Sequence, residues 1–405
     1  MQRARLPIDV CERVIDSFNS CPRFFPPPGY FVDLCACALT CRDWVPRSRR
    51  NLYSSIQLRN ARQLDALLDT IASLPFLADF VQELVIHPLE KYLPFAQENL
   101  ASALRGVCRV HICYYDWAAH HPRYHQLVAR YPIVELSLLG GTYRTMADLF
   151  RVIWAFEHLQ ALTLAVIEPF QQPGIPLDEI IQRRTRICLN LKTVTILGPA
   201  LLGTKTFPPV GCFGKALTSL CLTWMQQFGM TPPDALLLYL SAPSALRHLT
   251  WRADCGDIWK EEDIRACTAY VGSALHSIPG DRPLRWVTLD FRAPVATGDM
   301  SRTAFLDCVL GKDLRTAIKP RKRFWAVTLL VPECDQARFG PGWWMGKVDS
   351  WWIFHGLDVR TAPASTVWAD EVFSPRSFLE KRPEDECFGE TEHMSLLLSE
   401  LFKQR

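Results

Sequence analysis

The sequence predicts an α/β solenoid, a curved parallel sheet with helices on its outside, preceded by a three-helix module and followed by a C-terminal cap. Three observations carry this. First, a short phrase, apolar-x-x-apolar-x-apolar, returns along the chain as Val81/Leu84/Ile86, Val107/Val110/Ile112, Ile133/Leu136/Leu138 and Leu159/Leu162/Leu164. It continues as Leu191/Val194/Ile196, Leu217/Leu220/Leu222, Leu246/Leu249/Trp251, Leu284/Val287/Leu289 and Phe324/Val327/Leu329. Second, its central positions are separated by 26, 26, 26, 32, 26, 29, 38 and 40 residues, and the shortest return holds one helix. A strand recurring at such a period cannot bury its apolar face alone and stacks on its neighbours. A doubly wound α/β domain also alternates strand and helix, but gives no reason for a fixed 26-residue period. Third, the first fifty-odd residues carry helical rather than strand periodicity.

In that N-terminal stretch, 1–58, "LPIDVCERVIDSF" opens with Leu6-Pro7, and proline near a helix start sacrifices only an unpaired N–H. Val10, Cys11, Val14, Ile15 and Phe18 share one face of the first helix. The proline-rich Cys21–Tyr30 segment breaks the chain before a second helix from about Asp33 to Thr40. Pro46 restarts a third through Tyr53, and Ser54 to Leu58 turns extended. Three helices of this size bury too little surface to be very stable alone, so the module is expected to need a partner.

The repeats occupy 59–332. Leu64, Leu67, Leu68 and Ile71 form a helical stripe leading to the first phrase. Between the third and fourth phrases, Thr145 and Asp148 can form a capping box, with Met146, Leu149, Phe150 and Ile153 as the buried stripe. Comparable helices are expected around Phe95–Leu104, Tyr124–Arg130, Pro233–Leu240 and Asp263–His276. The pattern loosens from Ser301 and fails beyond Val331. Residues 333–405 hold Trp343, Trp344, Trp351 and Trp352, read mainly as core or cap. They end in an amphipathic stripe, Met394, Leu397, Leu398, Leu401 and Phe402, read as a helix covering the open end of the solenoid.

Composition narrows the function. With 49% hydrophobic and 21% charged residues, the chain is of ordinary globular make-up. A formal net charge of +3 does not argue for nucleic acid. No apolar run approaches the roughly 18 residues of a membrane span, and Arg5 runs straight into the first helix, so a cytoplasmic or nuclear protein is expected. The fifteen cysteines are scattered through apolar stretches, as buried thiols in a reducing compartment would be. Cys35/Cys37/Cys41 lacks zinc-site spacing, and His121/His125, although four apart as ligands on a helix can be, lack a third ligand and are interrupted by Pro122. The basic run Lys319, Arg321, Lys322, Arg323 reads as a solvated loop. Two glycine-lysine segments fail as phosphate loops because Pro341 and Pro209 stand where the first glycine belongs. No metal, cofactor or catalytic residue is expected.

"LPIDVCERVID", "CALTCRDWVPRSRRNLY" and "IQL" together resemble an F-box, in the form found in many fungal F-box proteins. The matching positions include Leu6, Pro7, Asp9, Val10, Val14, Ile15, Leu39, Cys41, Arg42, Trp44, Leu52, Tyr53 and Ile56. The insert Ser20–Tyr30 departs from that pattern. The repeats in turn resemble a leucine-rich-repeat horseshoe, without the usual asparagine or cysteine after the strand. The resemblance implies a non-catalytic substrate adaptor of a ubiquitin ligase. Leu6, Pro7, Val10, Val14, Ile15, Leu39 and Trp44 would hold the Skp linker, and through it a cullin. The concave sheet would hold a target protein, with Glu83, Arg109, Glu135, Lys192, Arg247 and Arg285 as candidate contacts. Two alternatives stay open: a repeat scaffold for protein–protein interaction with no ubiquitin role, and an enzyme on an α/β core, which would need a pocket of converging polar groups.

Overall fold

The computed structural model describes residues 7–17, 30–87, 98–119, 131–167, 179–181, 187–197, 211–225, 236, 240, 245–254, 261–279, 284–291, 307–311, 314–316, 326–332 and 357–362. The chain forms two compact units, Met1–Ala364 and Ser365–Arg405. All described residues belong to the first.

Three helices open that unit: α1 (Ile8–Ser17), α2 (Tyr30–Thr40) and α3 (Val45–Ser54). The Pro7 carbonyl accepts the N–H groups of Val10 and Cys11 at 3.0 and 3.2 Å, so the proline starts α1 with its acceptor rather than from inside the helix. Pro46 sits in the first turn of α3. Helix α3 then passes without a linker into the first strand, β1 (Ser55–Leu58).

Eleven strands follow in chain order, each hydrogen-bonded to the next, and all ten pairings are parallel. They are β1, β2 (Glu83–Ile86), β3 (Arg109–Asp116), β4 (Glu135–Thr142), β5 (Ala161–Ile167) and β6 (Thr193–Leu197). Then come β7 (Ser219–Met225), β8 (His248–Asp254), β9 (Trp286–Asp290), β10 (Ala326–Pro332) and β11 (Leu357–Ala362). At about 4.8 Å per step, the ladder is about 48 Å from first strand to last.

The recurring phrase fixes the register. Its central residues lie side by side: Leu84, Val110, Leu136, Leu162, Val194, Leu220, Leu249, Val287 and Val327 are partners in order. None is more than 2% exposed. The third residues of each phrase form a second buried row beside them. The helices α4 (Ala61–Ser73), α5 (Glu98–Ala103), α6 (Met146–Trp154) and α7 (Glu261–Ser277) contribute their stripes to the same core. Leu64, Leu67 and Ile71 come from α4, and Leu149, Phe150 and Ile153 from α6. Thr145 caps α6, its hydroxyl accepting the Asp148 N–H at 3.2 Å and donating to the Asp148 carboxylate at 2.9 Å.

Two strands exceed the nine phrases. β1 belongs to the sheet, with Ile56 paired to Leu84, rather than only closing the helical module. β11 pairs with β10 through Leu357 and Val327, beyond the point where the period was expected to fail. Both carry the phrase with an aromatic residue at its first position, as Phe324 does in the ninth copy: Tyr53/Ile56/Leu58 and Phe354/Leu357/Val359. The expected helix Tyr124–Arg130, the tryptophan pairs and the amphipathic tail lie outside the described residues.

The aligned core makes a quantitative expectation. Leu162→Ala should cost about 2–5 kcal/mol of unfolding free energy, because it empties a site packed on both neighbouring strands. Thr163→Ala, half-buried on the opposite face, should cost less than about 1 kcal/mol. Urea unfolding followed by far-UV circular dichroism would check both.

Candidate protein-docking faces

The three-helix module divides its apolar residues between two environments. Cys11, Ile15, Leu34, Cys35 and Ala38 are buried between the helices. Ile8, Val10, Val14, Val32 and Leu39 remain between 41% and 57% exposed. Val10 and Val14, four apart, share one stripe of α1, and Val32 and Leu39, seven apart, share one stripe of α2. Trp44 is half-buried and Pro7 exposed, while Leu6 lies outside the described residues. Of the residues expected to meet a linker, Ile15 is instead part of the module's own core, at 0% exposure. The apolar face of α1 is wider than the gap it fills, so Ile15 goes in and Val10 and Val14 stay out. Ile8 and Val32 join the exposed set, though the sequence had not singled them out.

Polar contacts hold the module together. Arg47 makes a two-pronged ion pair with Asp16, its Nε donating to Oδ1 at 2.7 Å and its Nη2 to Oδ2. The Arg47 hydrogen bond is the main cause that holds the Asp16 carboxyl below the usual range. Asn51 donates to the Ile15 carbonyl at 3.3 Å and to Asp16 Oδ1 at 3.1 Å, pinning α3 to the end of α1. Between these groups and the first strands lies a polar cavity of about 280 Å³, whose walls include Arg47, Arg50, Asn51, Ser55, Glu83 and Arg109.

Glu83, at the start of β2, is only 1% exposed, and a buried carboxylate must be paired. Ser55 donates to its Oε1 at 2.8 Å, Arg109 Nε lies 3.0 Å from Oε2, and His111 Nε2 lies 3.8 Å from the same oxygen. Burial pushes this carboxyl up. The His111 imidazole, the Ser55 hydroxyl and the Arg109 guanidinium outweigh it and hold the group at about 2.

The face of the sheet opposite the helices is built from the residues between the apolar anchors. One row runs Glu83, Arg109, Glu135, Ala161, Thr193, Ser219, His248, Trp286 and Ala326. Lys192, Arg247 and Arg285 each stand one residue earlier than this row. The six residues expected as a target surface therefore come from two adjacent rows, Glu83, Arg109 and Glu135 opening their strands and Lys192, Arg247 and Arg285 standing just before theirs. Glu83 is sealed in its ion pair rather than offered to a partner, and Glu135, Lys192, Arg247 and Arg285 are exposed. The row from Glu83 to Ala326 also holds a pair of rings that no separate sequence motif marks. His248 and Trp286 stack at 4.4 Å with planes 10° apart, and Trp286 is 39% exposed. Both occupy the residue just before a central apolar position, a signal available in the phrase itself. Deeper in, Arg252 pairs with the buried Asp290 at 3.1 Å.

Burial pushes the Cys113 and Cys188 thiols up to about 12, so both stay protonated at neutral pH and are not nucleophilic. The His120/His121/His125 group and the basic run from Lys319 to Arg323 lie outside the described residues. Among the described residues no helix is long and apolar enough to cross a membrane. In comparisons with known proteins, no family model matches the chain and no curated relative is found.

The Glu83 cluster predicts an acid-dependent stability. A carboxyl whose folded value is depressed contributes fully above its ordinary value near 4.5, and that contribution is lost as pH falls toward about 2. Wild-type unfolding free energy should fall by about 3 kcal/mol across that window from this group. Glu83→Gln should flatten that part of the profile, which unfolding at a series of pH values between 5 and 2 would measure.

Proposed function

We propose that this protein is a non-catalytic adaptor that joins a Skp-type linker, and through it a cullin ubiquitin ligase, to a target protein. The observation carrying the reading is the exposed apolar set on α1 and α2. Val10, Val14 and Leu39, with Ile8 and Val32, stay in solvent while the module already has its own core. Exposed aliphatic residues on two helices of a small module are the kind of surface a partner can cover. They fall on the stretch whose sequence resembles an F-box. The long strand ladder then supplies a rigid platform for the target. The adaptor's contribution is proximity: it raises the effective concentration of target lysines near the ubiquitin carrier, and other subunits supply the chemistry. Such a protein would act in the cytoplasm or the nucleus.

A repeat scaffold with no ubiquitin role is the competing reading, and one experiment separates the two. Co-purification with the Skp linker would compare the intact chain with a Val10→Asp, Val14→Asp double variant. Both sites are exposed, so the variant should keep its circular dichroism spectrum and unfolding midpoint. The adaptor reading expects stoichiometric linker with the intact chain and a loss of at least tenfold in the variant, since a carboxylate at an apolar interface must be desolvated. Absence of linker from the folded, intact chain would leave the scaffold reading in its place.

A further inference from the structure

We infer that the strand-start edge from β6 to β9 docks a short, extended acidic segment of a partner protein, with Trp286 as the apolar anchor. The inference rests on the open face of the sheet being the target platform, and it names the chemistry of that target. Lys192, Thr218, Arg247 and Arg285 are successive hydrogen-bonded neighbours: Thr218 N–H donates to the Lys192 carbonyl, Arg247 to Thr218, and Arg285 to Arg247, at 2.8–2.9 Å. Lys192, Arg247 and Arg285 are exposed. The adjoining row, Thr193, Ser219, His248 and Trp286, brings no carboxylate. Asp290, the carboxylate of β9, is 2% exposed and already held by Arg252. Three cations therefore line one edge with no acid among the two rows. At β2 to β4 the same two rows hold Gln82, Cys108 and Val134, then Glu83, Arg109 and Glu135, two acids against one cation.

The dimensions suit a peptide. Three strand steps of about 4.8 Å separate Lys192 from Arg285, about 14 Å in all, which four or five extended residues cover at about 3.3 Å each. Trp286 is fixed by its stack on His248, so it presents a flat apolar surface with little rotamer freedom to lose on binding. Tryptophan and arginine are also the residue types that dominate interface energetics. A nucleic acid would demand a longer phosphate-tracking footprint than three cations on a chain with 45 basic and 42 acidic residues.

The test uses the full chain and a fluorescein-labelled peptide, Glu-Asp-Leu-Asp-Glu, followed by anisotropy at low and high salt. Binding should weaken with salt, as exposed charge pairs do. It should drop at least tenfold in Arg247→Glu, Arg285→Glu and several-fold in Trp286→Ala, with unfolding midpoints unchanged. No binding to the wild type, or equal binding to the charge-reversed variant, overturns the proposal. Tighter binding of a single-stranded oligonucleotide, lost in the same variants, overturns it in favour of a nucleic-acid surface. Linker co-purification on the same samples separates the two readings. A chain that binds the peptide but not the linker loses the adaptor role and keeps this surface, and the converse removes only the surface.

Discussion

One backbone junction sets the register of the whole ladder. Where each return from a helix rejoins the sheet, two successive N–H groups converge on a single carbonyl of the preceding strand. Cys108 and Arg109 donate to Gln82, Val134 and Glu135 to Cys108, Gln160 and Ala161 to Val134, and the pattern persists to Arg285 and Trp286 on Arg247. Satisfying both donors on one acceptor leaves the incoming strand a single alignment. The central apolar residues then fall into line, and the alternate residues fall into line on the other face. A slip of one residue would send the buried row to solvent, so the junction and the apolar phrase enforce the same answer. Return lengths can consequently vary, from 26 residues to 40, without disturbing the strands.

The helical module obeys a different constraint. It has too few residues to bury all its aliphatic side chains, and it closes its interior with Cys11, Ile15, Leu34 and Ala38. It joins the sheet through the direct passage of α3 into β1 and the Gln82 N–H, which donates to the Ser54 carbonyl at 3.0 Å. Asp16, Arg47 and Asn51 interlock α1 with α3, and Glu83 reaches Ser55, Arg109 and His111 across the first three strands. Burying Glu83 carries a desolvation cost that is offset only while all these partners are in place.

Much of this was legible in the sequence because burial imposes periodicity. The nine phrases give nine strands in the observed order, and the Thr145–Asp148 cap marks the start of α6. Less was legible where a residue type serves two ends. Tyr53 and Phe354 open a phrase as Phe324 does but read as helix and aromatic cluster, so Ser54–Leu58 reads as extended without joining the repeats and β11 goes unread. Ile15 sits on the same stripe as Val14, and only the packing of α2 and α3 decides which of them faces inward. Arg109 and Arg247 look alike in a list of charges. Register alone separates an arginine bound to a buried glutamate from one that stands free of any acid in its row.

Helix α3 ends at Ser54 and β1 begins at Ser55, so the module is mounted on the sheet without a tether. Strand number therefore works as a ruler. Each strand adds about 4.8 Å along the ladder, which puts β6 about 24 Å and β9 about 38 Å from the strand that carries the module. A longer return would alter a loop and leave these distances alone. Inserting or deleting a whole repeat would change the reach by one graduation.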